Sequence, residues 1–167
     1  MDVVALNPSE VVGPYDTSSF GRLFFLLRDG DLPAVSPGNI QVTHVHDVVR
    51  AHLDAVTRGQ SGERYLLTGD EITFPDFVRE IARVSDAKEP MTAPAWVFKV
   101  YARVSVMVAA ITGKEPDVTP EIATSMSDTG RTFVCDKAIR ELGYRTQAPK
   151  VAIQDNYDWL RNEGLLA

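Results

Sequence analysis

Residues 43–52 read Thr-His-Val-His-Asp-Val-Val-Arg-Ala-His, and this one stretch holds all three histidines of the 167-residue chain. Two readings compete for it. As a continuous strand it puts His44 and His46 on one face, because strand side chains alternate with period two. Paired imidazoles, with Asp47 or His52 as a third ligand, would suit zinc or iron. As a strand running into a helix, residues 42–45 form the strand, residues 48–57 the helix, and Asp47 is its cap. The spacing favours the second reading. Asp47 follows a residue that points the other way, His52 lies over a turn down the helix, and no Cys, His or acidic cluster elsewhere in the sequence completes a site. No metal ligand is assigned on this basis.

Outward from this junction, strands and helices alternate. Residues 3–6 are a short apolar run stopped by Asn7-Pro8, the pattern of a strand buried on both faces in a parallel sheet. Gly13-Pro14 marks a turn, and residues 20–27 a helix closed near Gly30. Residues 32–39 read as loop. Residues 65–68 form a second apolar strand ended by Gly69-Asp70. Thr73 then caps a helix with Pro75 in its first turn and Phe77, Val78, Ile81 and Ala82 at helical spacing. A long helix fills residues 95–111, and a shorter one starts at Thr119-Pro120-Glu121. Residues 131–134 are strand-like, residues 137–142 form a helix ended by Gly143, and residues 151–163 a last helix ended by Gly164. The alternation predicts an α/β layer architecture with a few mostly parallel strands. No repeat or linker divides the chain, so residues 1–167 read as one domain.

The composition excludes several classes. A net charge of −6 sets the surface against the phosphates of nucleic acid. The single cysteine, Cys135, rules out an internal disulfide and suits a reducing cytoplasm. It reads as a small buried hydrophobe. The start, Met-Asp-Val-Val-Ala-Leu-Asn-Pro, is no signal peptide. The longest apolar run, residues 93–112, is broken by Lys99 and Arg103 and reads as a buried amphipathic helix rather than a membrane span.

Five segments carry a resemblance. Gln41-Val-Thr-His-Val-His-Asp47 with Val48-Val-Arg-Ala-His52 resembles the strand–helix junction of the extended short-chain dehydrogenase/reductases, in particular the dihydroflavonol-reductase-like branch of the NAD-dependent epimerase/dehydratase superfamily. Val3-Val-Ala-Leu-Asn-Pro-Ser-Glu-Val-Val-Gly-Pro14 resembles the strand and loop after that family's catalytic helix. Gly62-Glu-Arg-Tyr-Leu-Leu-Thr-Gly69 resembles its next core strand. Asp136-Lys-Ala-Ile-Arg-Glu-Leu-Gly-Tyr144 and Trp159-Leu-Arg-Asn-Glu-Gly164 resemble its late helices. The match covers nearly the whole chain in order. His46 departs from the pattern, which commonly has an acid there.

The resemblance implies the C-terminal, substrate-binding half of such a protein, hence an incomplete Rossmann-type fold. It implies NAD or NADP as cofactor, with Pro8, Ser9, Glu10 and Val11 against the nicotinamide end and the Ser9 hydroxyl free to bond its carboxamide. Gln41 matches a glutamine that reaches the substrate's polar groups in dihydroflavonol-type reductases. Nucleotide-sugar epimerases often place an arginine near this point, where this chain has Ile40 and Gln41, so the resemblance leans towards an uncharged aromatic, steroid-like or carbonyl substrate. The family's glycine-rich turn and Tyr-x-x-x-Lys pair, which seat the pyrophosphate and transfer a proton, do not occur in these residues. Each of the five tyrosines is followed four residues later by Ser, Gly, Ala or Arg. Tyr157 and Arg161 share a helical face but read as a surface pair. No catalytic residue is assigned.

Two functions follow as expectations. One is the substrate-binding portion of an NAD(P)-dependent oxidoreductase or epimerase, inactive alone and dependent on a dinucleotide-binding subunit. The other is a non-enzymatic protein that binds a small apolar molecule or serves as an oligomer. In the first, Trp96, Phe98, Tyr101 and Met107 could wall an apolar pocket; the plain alternative is core. In either, a strand at residues 3–6 with an unpaired edge predicts a homodimer built on that edge.

Overall fold

The computed structural model describes residues 2–112, 130 and 132–166. In chain order the elements are β1 (Ala5–Pro8), β2 (Glu10–Val12), α1 (Arg22–Asp29), β3 (Ala34–Val35), β4 (Asn39–His44), α2 (Val45–Arg58), β5 (Arg64–Leu67), β6 (Asp70–Thr73), α3 (Phe74–Ser85), β7 (Met91–Thr92), α4 (Ala95–Thr112), α5 (Asp136–Leu142) and α6 (Pro149–Asn162). The expected α/β architecture is what forms. β1 runs parallel to β5, β2 to β4 and β3 to β7, while β4 and β6 are antiparallel. Among the described residues no helix is long and apolar enough to cross a membrane.

One chain segment serves two sheets. Residues 5–8 and 10–12 are strands separated by a bend at Ser9, and β1 pairs with β5 while β2 pairs with β4. The partner changes at Ser9, whose N–H still reaches the Leu67 carbonyl at 3.0 Å. Across the gap the neighbouring chain turns at Thr68-Gly69 and leaves β5 for β6. Gly69 is required there by close approach: a Cβ on it would lie 1.6 Å from the Val42 carbonyl oxygen.

Two apolar clusters hold the layers. Val12, Phe24, Val42, Phe77, Val78, Ile81, Ile153 and Leu160 form the larger one, under α1, α3 and α6. α3 shows why its sequence folds so. The Thr73 hydroxyl accepts the Asp76 N–H at 3.1 Å, Pro75 sits in the first turn, and Phe77, Val78 and Ile81 are fully buried. Each such side chain contributes roughly 1.5–3 kcal/mol on burial. The second cluster, Val48, Ala51, Ala55, Tyr65, Leu67, Ala138, Leu142 and Tyr144, packs α2 and α5 against β5.

Several expectations are corrected. The first strand lies at Ala5–Pro8 rather than residues 3–6, and it is not buried on both faces, since Asn7 and Pro8 are exposed. Proline is tolerated because Ala5 and Ser9 donate to the β5 side, so parity turns the Pro8 nitrogen to the open edge. Asp47 is not the cap of α2. The helix begins three residues earlier than expected, at Val45, and His44 caps it, Nδ1 accepting the His46 N–H at 3.0 Å. Residues 132–134 are not a strand, being held by side chains instead of a ladder. The short β3 lies in the segment read as loop, and β6 and β7 lie where no strand is expected. The helix placed at Thr119-Pro120-Glu121 lies outside the described residues.

α2 is apolar on two sides. Val48, Ala51 and Ala55 face the core, while Val49, Leu53 and Val56 are 52%, 68% and 84% exposed. An ordinary surface helix carries one apolar stripe. Val56 of this second stripe reaches the groove next to β1, which has no strand on its other side among the described residues. The groove, of about 680 Å³, is lined by Val4, Leu6, His52, Ala55 and Val56.

Two glycines separate sterics from backbone strain. Gly30 has φ of 76° with open space around it, so Gly30→Ala should cost about 1 kcal/mol. Gly69→Ala must displace a backbone carbonyl and should lower stability several-fold more in the same denaturant titration. Equal losses would contradict the strand crossing described here.

Candidate functional site

The carboxyl ends of two parallel strands, β1 and β5, open where their continuations part. In open α/β sheets ligands settle in such crevices. Here the crevice is a cleft of about 380 Å³ lined by Asn7, Pro8, Ser9, Glu10, Leu66, Thr68 and Phe133. Beyond the Ser9–Glu10 wall a second hollow of about 500 Å³ is lined by Val11, Gly13, Tyr15, Asp16, Phe20 and Val45 among others. Pro8, Ser9 and Glu10 therefore stand at the first cleft, and Ser9, Glu10 and Val11 at the second.

Ser9 is held in a defined state. The Thr43 hydroxyl donates to the Leu67 carbonyl at 3.1 Å. Its oxygen lies 2.7 Å from the Ser9 oxygen, and with the Thr43 proton spent, Ser9 is the donor. The Ser9 oxygen keeps acceptor capacity beyond this bond. Below Thr43, the Tyr144 hydroxyl is buried with no partner in bonding geometry. Burial pushes its phenol up to about 12, only partly offset by the nearby Thr43 and Thr146 hydroxyls.

Gln41 lies away from open solvent. Its Nε2 donates to the Phe133 carbonyl at 2.8 Å and more weakly to the Gly69 carbonyl at 3.4 Å, and its Oε1 accepts the Phe133 N–H at 2.7 Å. Both ends of the amide are spent within the protein, so Gln41, expected at a substrate's polar groups, meets the cleft only through Phe133.

The histidines separate. His44 is fully buried, and its Nε2 lies 3.1 Å from the Asp155 carboxylate of α6. His46 packs against it at a tilt, with ring centroids 4.9 Å apart. His52 turns back to the Val48 carbonyl, 2.8 Å from Nδ1. Asp47 accepts the Gln147 N–H at 2.8 Å and so ties α2 to the loop before α6. Asp155 is the residue the sequence did not show; it lies 111 positions from His44 and no spacing rule reaches it. His44, His46 and Asp155 bring ligand atoms within 4.8 Å of one another. The hydrogen bonds nevertheless oppose coordination. Nδ1 of His44 accepts a backbone N–H, so Nε2 carries the proton and donates to Asp155. A metal on Nε2 would require that proton to leave and the helix cap to break.

The aromatic candidates divide. Tyr157 stacks on Phe24 at 5.8 Å and packs on the larger core, with the Arg161 guanidinium 5.9 Å over its ring. On α4, Trp96 and Met107 are exposed, and the Tyr101 side chain lies outside the described residues. Cys135 is half-buried, its thiol directed at the Thr68 carbonyl.

No protein-family model matches the sequence. A protein of Synechocystis sp. named "Putative dihydroflavonol 4-reductase" is 29% identical over 98% of this chain and 49% of its own length. The crystal structure of gox2253 superposes with a TM-score of 0.79 at 31% identity, again over 98% of this chain and 50% of that one. PA4631, a nucleoside-diphosphate-sugar epimerase from Pseudomonas aeruginosa, follows at 0.74 and 25%, over 100% and 50%. These likenesses support a place in the epimerase/dehydratase superfamily of short-chain dehydrogenase/reductases. The fold is a partial Rossmann-like one, and the chain spans about half the length of the relatives it matches. The fold is shared with WbmH of Bordetella bronchiseptica, crystallised with NAD+, at TM-score 0.69 and 18% identity.

Two measurements test this site. Zinc and iron should bind no better than weakly, and His46→Ala should leave the metal content by elemental analysis unchanged; loss of a stoichiometric ion would contradict the tautomer given for His44. Tyr144 holds its proton more tightly folded than unfolded, so its contribution to stability is complete below pH 10 and is lost as pH rises towards 12. Stability compared with Tyr144→Phe should fall by roughly 2 kcal/mol across that window. Parallel pH curves for the two proteins would show that the phenol is not desolvated.

Proposed function

We propose that this chain is the substrate-side portion of an NAD(P)-dependent reductase or epimerase, inactive alone and completed by a dinucleotide-binding half. The observation that carries the proposal is the cleft at the carboxyl ends of β1 and β5, lined by Ser9, whose hydroxyl is tied to Thr43. A carboxamide N–H is a fitting donor for Ser9, and the apolar rims of Pro8, Leu66 and Phe133 suit the flat face of a nicotinamide ring. When bound, NAD or NADP would supply hydride transfer. This chain's own part would be to orient the ring and exclude water from it. The proton-transferring group and the pyrophosphate seat would come from the other half.

The groove along β1 and the Val49–Leu53–Val56 stripe of α2 offer that half its place: a parallel strand on the free edge of β1 with apolar cover over α2. The relatives' double length supports this reading. Without such a partner, two copies would meet through the same surface as a homodimer, and a purely oligomeric, non-enzymatic protein is the second reading that this stripe favours. One cysteine in the whole chain suits the reducing cytoplasm as its compartment.

Titration of NADH and NADPH against the purified chain, read by nicotinamide fluorescence, tests the cleft. Binding weaker than in a complete enzyme, and no turnover with either cofactor, is the expected outcome. Mixing with a separate chain that carries a glycine-rich turn and Tyr-x-x-x-Lys should produce turnover. Cofactor-dependent turnover by the isolated chain after rigorous purification would overturn the proposal.

A further inference from the structure

Residues 132–133 cross the sheet without joining it. Gln41 of β4 and Glu71 of β6 are directly opposed in the antiparallel ladder, so their side chains rise from the same face. Gln41 takes both backbone groups of Phe133, while the Glu71 carboxylate accepts the Thr132 hydroxyl at 2.6 Å. The Thr68 hydroxyl adds a bond to the Phe133 carbonyl at 3.3 Å. Three side chains thus do what a neighbouring strand would otherwise do. The Gln41 amide imitates a strand's peptide group, donor and acceptor together. The segment it holds carries Phe133, whose side chain is half exposed and lines the cleft opposite Pro8 and Ser9.

We infer that Gln41 is a positioning residue, whose amide fixes Phe133 as the apolar wall of the cleft and so selects for a flat ring against it. This rests on the reading of the cleft as a nicotinamide site, but the latch itself has its own readout. A residue that bonded a substrate directly would keep one amide end free, whereas both ends of this one are engaged.

The test uses the whole chain, wild type and Gln41→Ala, with amide hydrogen exchange and nicotinamide mononucleotide as the probe. In the variant the Phe133 N–H should exchange at least tenfold faster, while the Ile81 and Ala82 amides of α3 keep their protection and report an intact fold. Gln41→Glu retains an acceptor for that N–H and loses the donor to the carbonyl, so it should fall between. The mononucleotide, followed by chemical-shift changes at Ser9 and Thr68, should bind the alanine variant several-fold more weakly than wild type. Unchanged exchange at Phe133 would overturn the latch. Faster exchange with unchanged affinity would overturn the wall. If wild type shows no mononucleotide binding at all, the nicotinamide reading fails, and exchange alone decides the latch.

Discussion

The His44 imidazole is shared by three elements. It ends β4, caps α2 through Nδ1 and meets Asp155 of α6 through Nε2, all from a fully buried position. A neutral imidazole has one donor and one acceptor, and here each has one use, so the ring's tautomer and orientation are fixed together. Gly13 follows from the same constraint: a side chain there would press on Val45 at 2.7 Å and approach the His44 ring. The turn that carries the second hollow's wall is therefore built around the junction. Were the imidazole to bind a metal instead, cap and carboxylate contact would both be given up.

From that junction the site is assembled by strands that change partners. β2 and β4 run together, β1 and β5 run together, and the Ser9–Thr43–Leu67 bonds hold the two pairs where they part. The cleft is the space that parting leaves. Its polar groups are the Ser9 and Thr68 hydroxyls, both committed to bonds within the protein, with Asn7 and the acidic Glu10, beside an apolar rim of Pro8, Leu66 and Phe133.

Much of this was legible in the sequence, and the failures have physical causes. Thr73, Gly30 and Gly143 act within one or two turns of themselves, and their capping roles come out as read. The junction itself was recognised, but its cap was placed three residues late, because Asp47 is the more usual capping type and only the fold turns His44 inward. β6, Asp70–Thr73, has two acids in four residues and no buried member, so nothing in its pattern marks a strand; pairing with β4 makes it one. The roles of Gln41 and Asp155 depend on partners about a hundred residues away. Side-chain contacts at that range leave no periodic trace.

We propose that the free edge of β1 and the outer stripe of α2 form one mating surface. Static light scattering of the isolated 18.4 kDa chain at micromolar concentration tests it most directly. The account predicts a mass of two copies or more, shifted towards one copy by Val4→Lys or Leu53→Lys with the fold retained by circular dichroism. A monodisperse, folded monomer that neither substitution affects would contradict it.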